Sequence, residues 1–269
     1  MYEAGPTLDL HRSTGWSVMK VESNSRTGTL TSGASNGASV GAVNPCSDCD
    51  VKSRAVCAAL DDSELNELAK VNRHRSLGAG DCLFFEGDPN EAYYVVMDGS
   101  LKLYKLLADG RRQVTGFLFK GDFLGLAFAD EHSVTAEALE TAKLCQMPRS
   151  TFEVLVGDSQ PLGRKLLQVA SRGIASAQEQ MLLLGRKTAQ ERLASFLLWL
   201  SARAEERGDS STVLSVPMSR TDMGDYLGLT VETVSRTVTK LKTSGVIHLG
   251  DKGMIQIVDL DRLEDIAAG

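Results

Sequence analysis

Between Ser219 and Ser244 the chain reads SRTDMGDYLGLTVETVSRTVTKLKTS, and no other stretch constrains its fold as tightly. Ser219 is a good N-cap, and the helix it opens carries Met223 and Leu227 at i, i+4. The small Gly224 beside them leaves room for a second helix to cross closely. Gly228 supplies the turn, because a left-handed backbone costs glycine little. Thr230 then caps a second helix whose apolar face is Val234, Val238 and Leu241, while Glu232, Ser235, Arg236 and Thr239 fall on the opposite side. A helix built only for a core has no use for that mixed face. The spacing predicts a helix-turn-helix, whose second helix enters the major groove with its N-terminal residues on base edges.

The residue types on the outer face suit that placement. Arg236 can give a two-pronged hydrogen bond to guanine O6/N7, and Glu232, one turn earlier, can accept from cytosine N4. Ser235 can donate or accept, and Val231 offers a methyl surface to thymine. The blander alternative is an i, i+4 Glu–Arg surface pair of little consequence. The adjoining segment weighs against it: Gly245–Ile257, GVIHLGDKGMIQI, reads as strand, Gly-Asp-Lys-Gly turn and strand, making the unit a winged helix-turn-helix.

The 269 residues suggest two domains, with apolar content for a core in each. A net charge of −6 and a sequence pI of about 5.3 exclude a general, polybasic nucleic-acid binder. From Thr230 to Lys242, however, Arg236, Lys240 and Lys242 stand against Glu232 alone, and local charge is what phosphates meet at short range. No segment approaches the length of a membrane span and no secretory signal pattern opens the chain, so a cytoplasmic protein is expected. No phosphate loop, Ser/His/Asp setting or dinucleotide fingerprint points to an enzyme.

Residues 1–45 are expected to be a disordered tail, since Ser23–Asn44 is dominated by Ser, Gly, Thr, Asn and Ala and cannot bury enough surface to offset ordering entropy. Order is expected to begin near Cys46, Cys49 and Cys57, spaced C-x2-C-x7-C. In a cytoplasmic chain this spacing favours a metal or redox role over a structural disulfide. Two thiolates in C-x2-C can reach one ion or two corners of a cluster, Cys57 can supply a third, and only Cys82 and Cys145 remain for a fourth. Spacing leaves zinc, iron–sulfur and unligated thiols all open.

From Arg73 to Phe152 short strands alternate with glycines at 80, 87, 99, 110, 116, 121 and 125, the punctuation of a β-sandwich or roll. His74 and His132 read as ordinary surface or satisfied residues. A helix from about Pro161 to Gly185 follows, with Leu167, Ala170, Ile174, Ala177, Met181 and Leu184 in a coiled-coil seam. Because Ala189–Arg207 forms a further amphipathic helix able to serve the C-terminal core, the seam is left for a second copy of the chain. A homodimer suits a helix-turn-helix, since two recognition helices a DNA turn apart read an inverted repeat. The expected α+β organisation is a tail over 1–45, a cysteine segment over 46–60, a jelly-roll-type β-roll over 61–160, a dimerisation helix over 161–186 and a winged helix-turn-helix over 187–269.

In that order of parts the chain resembles the CRP/FNR superfamily of transcription regulators over roughly residues 46–269. The stretches that carry the resemblance are AQERLASFLLWLSARAEERG, MSRTDMGDYLGLTVETVSRTVTKLKTSGVI and ALETAKLCQMPRSTF. The E-x-x-S-R order of Glu232, Ser235 and Arg236 is similar to that of the FNR branch, which reads TTGA-type half-sites. The resemblance implies a homodimer on double-stranded DNA bearing a TTGA-type inverted repeat, with RNA polymerase as protein partner. It also implies an oxygen-labile [4Fe-4S] cluster on Cys46, Cys49, Cys57 and Cys145, the last because it lies in the matching stretch Glu140–Pro148. Cys82 is then expected to be a small buried apolar residue. Two departures qualify the resemblance. GDFLGLAFADEHSVTAEAL lacks the Gly-Glu and Arg-Ser/Thr pairs that hold a cyclic nucleotide in CRP-type members, so no cyclic nucleotide is expected. Ala177 stands where the best-known oxygen-sensing member has an acidic residue, which implies a dimer that persists more readily without a cluster.

Overall fold

A computed structural model describes Cys46 and residues 49–125, 129–251 and 253–269; the tail expected over 1–45 lies outside these residues. The chain enters through a compact turn in which Val51, Ala55 and Val56 are buried, followed by a 3-10 helix, Val56–Ala59. Helix α1 (Asp62–Val71) is not among the elements expected from the sequence. Its start is a capping box: the Asp61 carboxylate accepts from Glu64 N and Glu64 returns the bond to Asp61 N, each at 2.8 Å.

The strands expected from Arg73 onward are β1 (Arg73–Leu77), β2 (Cys82–Phe84), β3 (Ala92–Asp98), β4 (Leu101–Leu106), β5 (Arg112–Leu118), β6 (Phe123–Leu124), β7 (Thr135–Ala138) and β8 (Ala142–Pro148). They form two antiparallel sheets, ordered β1-β8-β3-β6 and β2-β7-β4-β5. The strand pattern ends before Phe152, which is buried in helix α2 (Arg149–Asp158) instead.

Strands β3 and β8 are buried on both faces, and the two-residue side-chain period sorts their contacts. Ala92, Tyr94, Val96, Ala142 and Leu144 face the opposite sheet, whereas Tyr93, Val95, Cys145 and Met147 face outward. The outward set is covered by the cysteine segment, by Leu65 and Leu68 of α1, by Phe152 of α2, and by Leu162 and Leu166 of α3 (Gln160–Arg186). Helix α3 carries Pro161 in its first turn, where the missing N–H costs nothing, and runs on for about 40 Å.

Helix α4 (Ala189–Glu206), capped by Thr188 and Glu191, begins the C-terminal part. It is followed by β9 (Val213–Ser215), α5 (Arg220–Leu227), α6 (Val231–Thr243), β10 (Ile247–Leu249), β11 (Met254–Ile257) and α7 (Leu260–Ala268). The expected hairpin is there as β10 and β11, and β9 adds a third strand in the order β10-β11-β9. The two parts do not keep separate cores. Tyr104, Val114, Phe117 and Phe119 of the roll join Phe196, Leu197 and Met223 in one cluster. Aromatic rings seal the junction, with Phe117 at 5.1 Å and Phe196 at 5.4 Å from Tyr226 between ring centroids.

Candidate DNA-reading helix and cysteine site

Helix α5 starts where Ser219 accepts from Asp222 N at 3.0 Å and Asp222 accepts from Ser219 N at 3.0 Å. Gly228 ends it in the left-handed region, φ +63 and ψ +41. The turn then folds back over Gly224: Leu229 N donates to Gly224 O at 3.0 Å, and a β-carbon on Gly224 would lie 2.6 Å from Leu229 O. The close approach expected at Gly224 is therefore made by the turn's own backbone, not by a crossing helix. Gly224→Ala is expected to destabilise the C-terminal part by about 1–3 kcal/mol through overpacking and to weaken DNA binding with it. Thermal unfolding and a binding titration check this, and an unchanged melting curve would mean the turn has room to spare.

Thr230 caps α6 by accepting from Thr233 N at 3.2 Å. Val234, Val238 and Leu241 are buried as expected, with Thr237 beside them. Val231, Glu232, Ser235 and Arg236 are all exposed. Backbone N–H groups at the helix start, then Thr230 and then Arg236 hold the Glu232 carboxyl below the usual carboxylate range, so it presents acceptors to a base edge. The Ser235 hydroxyl donates to Val231 O at 2.8 Å and keeps its lone pairs outward. The helix thus offers one cation, one carboxylate, one hydroxyl and one methyl surface on a single face.

Five of the six seam residues lie along one side of α3, but they are not equivalent. Leu167, Ile174 and Met181 are 68, 62 and 70% exposed, large apolar side chains with nothing of their own chain over them. Ala177 is exposed between them and Ala170 is half-buried. Leu184 departs from the expectation: it packs on the C-terminal core, and its side chain would sit 3.1 Å from a β-carbon on Gly228. The end of the long helix has by then turned toward its own helix-turn-helix.

Cys46, Cys49 and Cys57 pack, half-buried, on the core that contains Cys145. Cys145 lies on the central strand β8, in register with His74 on one side and Val95 on the other. Burial pushes its thiol up to about 12, and repulsion from Cys57, Cys46 and Cys49 adds to the shift. Cys57 is also pushed up to about 12, by burial first and then by Cys46 and Cys49. Cys46 is raised by burial, against a hydrogen bond at 3.8 Å from Asn72 Nδ2 to its sulfur. The four thiols named from the sequence are thus mutual neighbours across nearly a hundred residues of chain. Among the described residues no three His, Cys, Asp or Glu side chains gather tightly enough for one metal ion. An iron–sulfur cluster spreads its cysteines wider than a single zinc does, so the donor set fits a cluster in kind and number better than it fits zinc.

Cys82 is not the buried apolar residue expected. It is half-buried on β2, opposite Glu137, with Tyr104 and Lys102 beside it. It belongs to the other sheet and does not join the four. His74 is exposed, and His132 is buried flat against Phe84 with ring centroids 3.4 Å apart.

The sequence also hid a set of polar residues joining α5 to the roll: Lys102, Arg112 and Gln113. Their only signal was Lys102 alternating with leucines in LKLYKL, a pattern that ordinarily puts lysine in solvent.

Comparison with known proteins agrees with this architecture. Residues 74–159 match the cyclic nucleotide-binding domain family and residues 191–266 the Crp-like helix-turn-helix domain family. The chain is 42% identical over 224 residues to the nitrogen fixation regulation protein FixK of Bradyrhizobium diazoefficiens, covering 83% of this chain and 94% of that one. It is 38% identical over 227 residues to the transcriptional activator protein Anr of Pseudomonas protegens, covering 83% and 93%. The solved structure of FixK2 from Bradyrhizobium japonicum superposes with a TM-score of 0.69 at 37% identity, covering 74% of this chain and 98% of that one. With a roll, a long helix and an outward-facing helix-turn-helix in the family's order, the chain is a member of the CRP/FNR family of transcription regulators and not an enzyme.

Proposed function

We propose that this chain is a cytoplasmic transcription activator that binds, as a homodimer, double-stranded DNA with a TTGA-type inverted repeat, and that senses oxygen through a [4Fe-4S] cluster held by Cys46, Cys49, Cys57 and Cys145. Val231, Glu232, Ser235 and Arg236 read the bases, and RNA polymerase is the partner recruited. The names of relatives such as the transcriptional activator protein Anr support activation. Among the described residues no helix is long and apolar enough to cross a membrane. A cyclic nucleotide is not the effector: residues 121–138 carry four carboxylates and no lysine or arginine to meet a phosphate.

One observation carries the sensing: three cysteines from the chain's entry and one from a central strand, far apart in sequence, share a single core. Thiols raised by burial and by one another are neutral at physiological pH, and binding iron requires them as thiolates. When bound, the cluster supplies a redox centre that oxygen attacks. The chain's own part is positional. Leu162 and Leu166 of α3 lie in the same core as Cys145, so whatever fixes the cysteine segment also fixes the start of the helix bearing the dimer seam. Any such switch rests on differential stability of two arrangements.

The test is iron and acid-labile sulfide in protein purified without oxygen, for the wild type and for Cys49→Ser. About four irons and four sulfides per protomer are expected in the wild type, bleaching in air as affinity for the TTGA duplex falls. Cys49→Ser should lose the iron and bind weakly even without oxygen. A second reading, a regulator of the same fold under thiol-redox or zinc-stabilised control, draws on the absence of a tight three-ligand group among the described residues. It predicts DNA binding indifferent to air in an iron-free wild type.

A further inference from the structure

Helix α5 is the first, non-reading helix of the helix-turn-helix, yet it is held at both ends by other parts of the chain. At its N-terminal turn, Asp222 accepts from Lys102 Nζ at 3.0 Å and from Arg112 Nη2 at 2.9 Å. One turn on, Asp225 accepts from Arg112 Nε at 2.8 Å, and its carbonyl accepts from Gln113 Nε2 at 2.7 Å. Lys102 also pairs with Glu137 of β7 at 2.8 Å. These charges are out of water: the Lys102 side chain is 8% exposed and that of Asp222 7%. At its C-terminal end, the Tyr226 carbonyl accepts from Gln180 of α3 at 2.6 Å. The Leu227 carbonyl accepts from Arg192 at 2.8 Å, and the same guanidinium holds the Leu184 carbonyl at 2.9 Å.

We propose that Lys102, Arg112 and Gln113 are positioning residues for DNA reading: as a brace from the roll they fix the orientation of α5 and, through the Gly228 turn, of α6. The inference rests on α6 being the DNA-reading helix. Buried ion pairs contribute little net stability against apolar replacements, so their presence here calls for a role in geometry. Asp222 is the residue that matters most in that respect. It closes the α5 capping box with Ser219 and takes both roll cations, so the helix start and the roll contact cannot move independently. With three carboxylates to two cations the brace has no positive charge left for phosphate, so it acts through α5 rather than by touching DNA. Two recognition helices must meet the groove one helical turn apart at the same time, and a reader that rocks on its roll loses affinity to disorder.

The test is a double-mutant cycle in the full-length protein with Arg112→Gln, Asp225→Asn and both together, using a duplex selected from a random pool by the wild type. Each single change should weaken binding by roughly three- to thirtyfold, and the pair should be no weaker than the worse single. Arg112→Lys should restore part of the loss. In the free variants, amides of residues 223–227 should exchange with solvent faster while those of β3 and β8 do not change, and sedimentation should still report a dimer. Unchanged affinity, strictly additive losses, or exchange that rises equally in the roll would each overturn the brace. A failure of the reading of α6 is separable. Arg236→Ala would then leave binding to the selected duplex intact, while the exchange arm still scores the brace.

Discussion

Ile174→Asp is expected to convert the protein to a monomer at micromolar concentration and to lower its affinity for an inverted-repeat duplex by more than about a hundredfold. Leu167, Ile174 and Met181 form an apolar stripe on α3 that nothing in the same chain covers. In a two-fold dimer each seam residue is buried twice, at about 1.5–3 kcal/mol per large apolar side chain. The substitution removes that contribution on both sides and sets two carboxylates against each other in a dry seam, where unpaired charge is costly. Because Ile174 is exposed in the single chain, the fold of each protomer should be unaffected. Equilibrium sedimentation and a DNA titration measure the two effects. A variant that stays dimeric would move the interface away from this stripe.

Arg236→Ala is expected to cost about 1–3 kcal/mol per half-site, which is felt twice on a symmetric duplex. The side chain stands exposed on the outward face of α6 one turn after Glu232, so its loss removes a donor pair and leaves the helix packing through Val234, Val238 and Leu241 intact. The diagnostic is selectivity. Against a TTGA duplex the variant should lose most of its affinity, whereas against a duplex with the guanine replaced it should bind about as the wild type does. Equal losses on both duplexes would make Arg236 a phosphate contact, since phosphate contacts carry no sequence information. The salt dependence separates the same alternatives, because one lost phosphate contact lowers the slope by about one.

Much of the reader was legible because its determinants are local. Ser219, Gly228 and Thr230 act on their own backbone within a few residues, and the apolar spacing of Val234, Val238 and Leu241 says which side of α6 is left outside. The strands from Arg73 onward were legible for the same reason, through glycine punctuation and short apolar runs. The cysteine set was legible only in part. The spacing of Cys46, Cys49 and Cys57 marked a site, but the choice of Cys145 over Cys82 came from resemblance. The structure supplies the physical counterpart: Cys145 faces outward from β8 into the core that the cysteine segment covers, whereas Cys82 lies on the other sheet.

The residues misjudged from sequence share a feature. Leu184 continues the seam's spacing yet is buried by its own chain, Cys82 sits among polar groups, and Lys102 looks like the solvent-facing member of an alternating strand but is buried. In each case periodicity says correctly which residues share a face and is silent on what covers that face. Local sequence established the caps, turns, strand alternation and exposed reading face, because those energies act over one or two turns of chain. Long-range packing set the rest: a core shared by roll and reader, the meeting of four cysteines, and the ion pairs from Lys102 and Arg112 to α5. Those depend on contacts between segments far apart in sequence, whose partners no local pattern specifies.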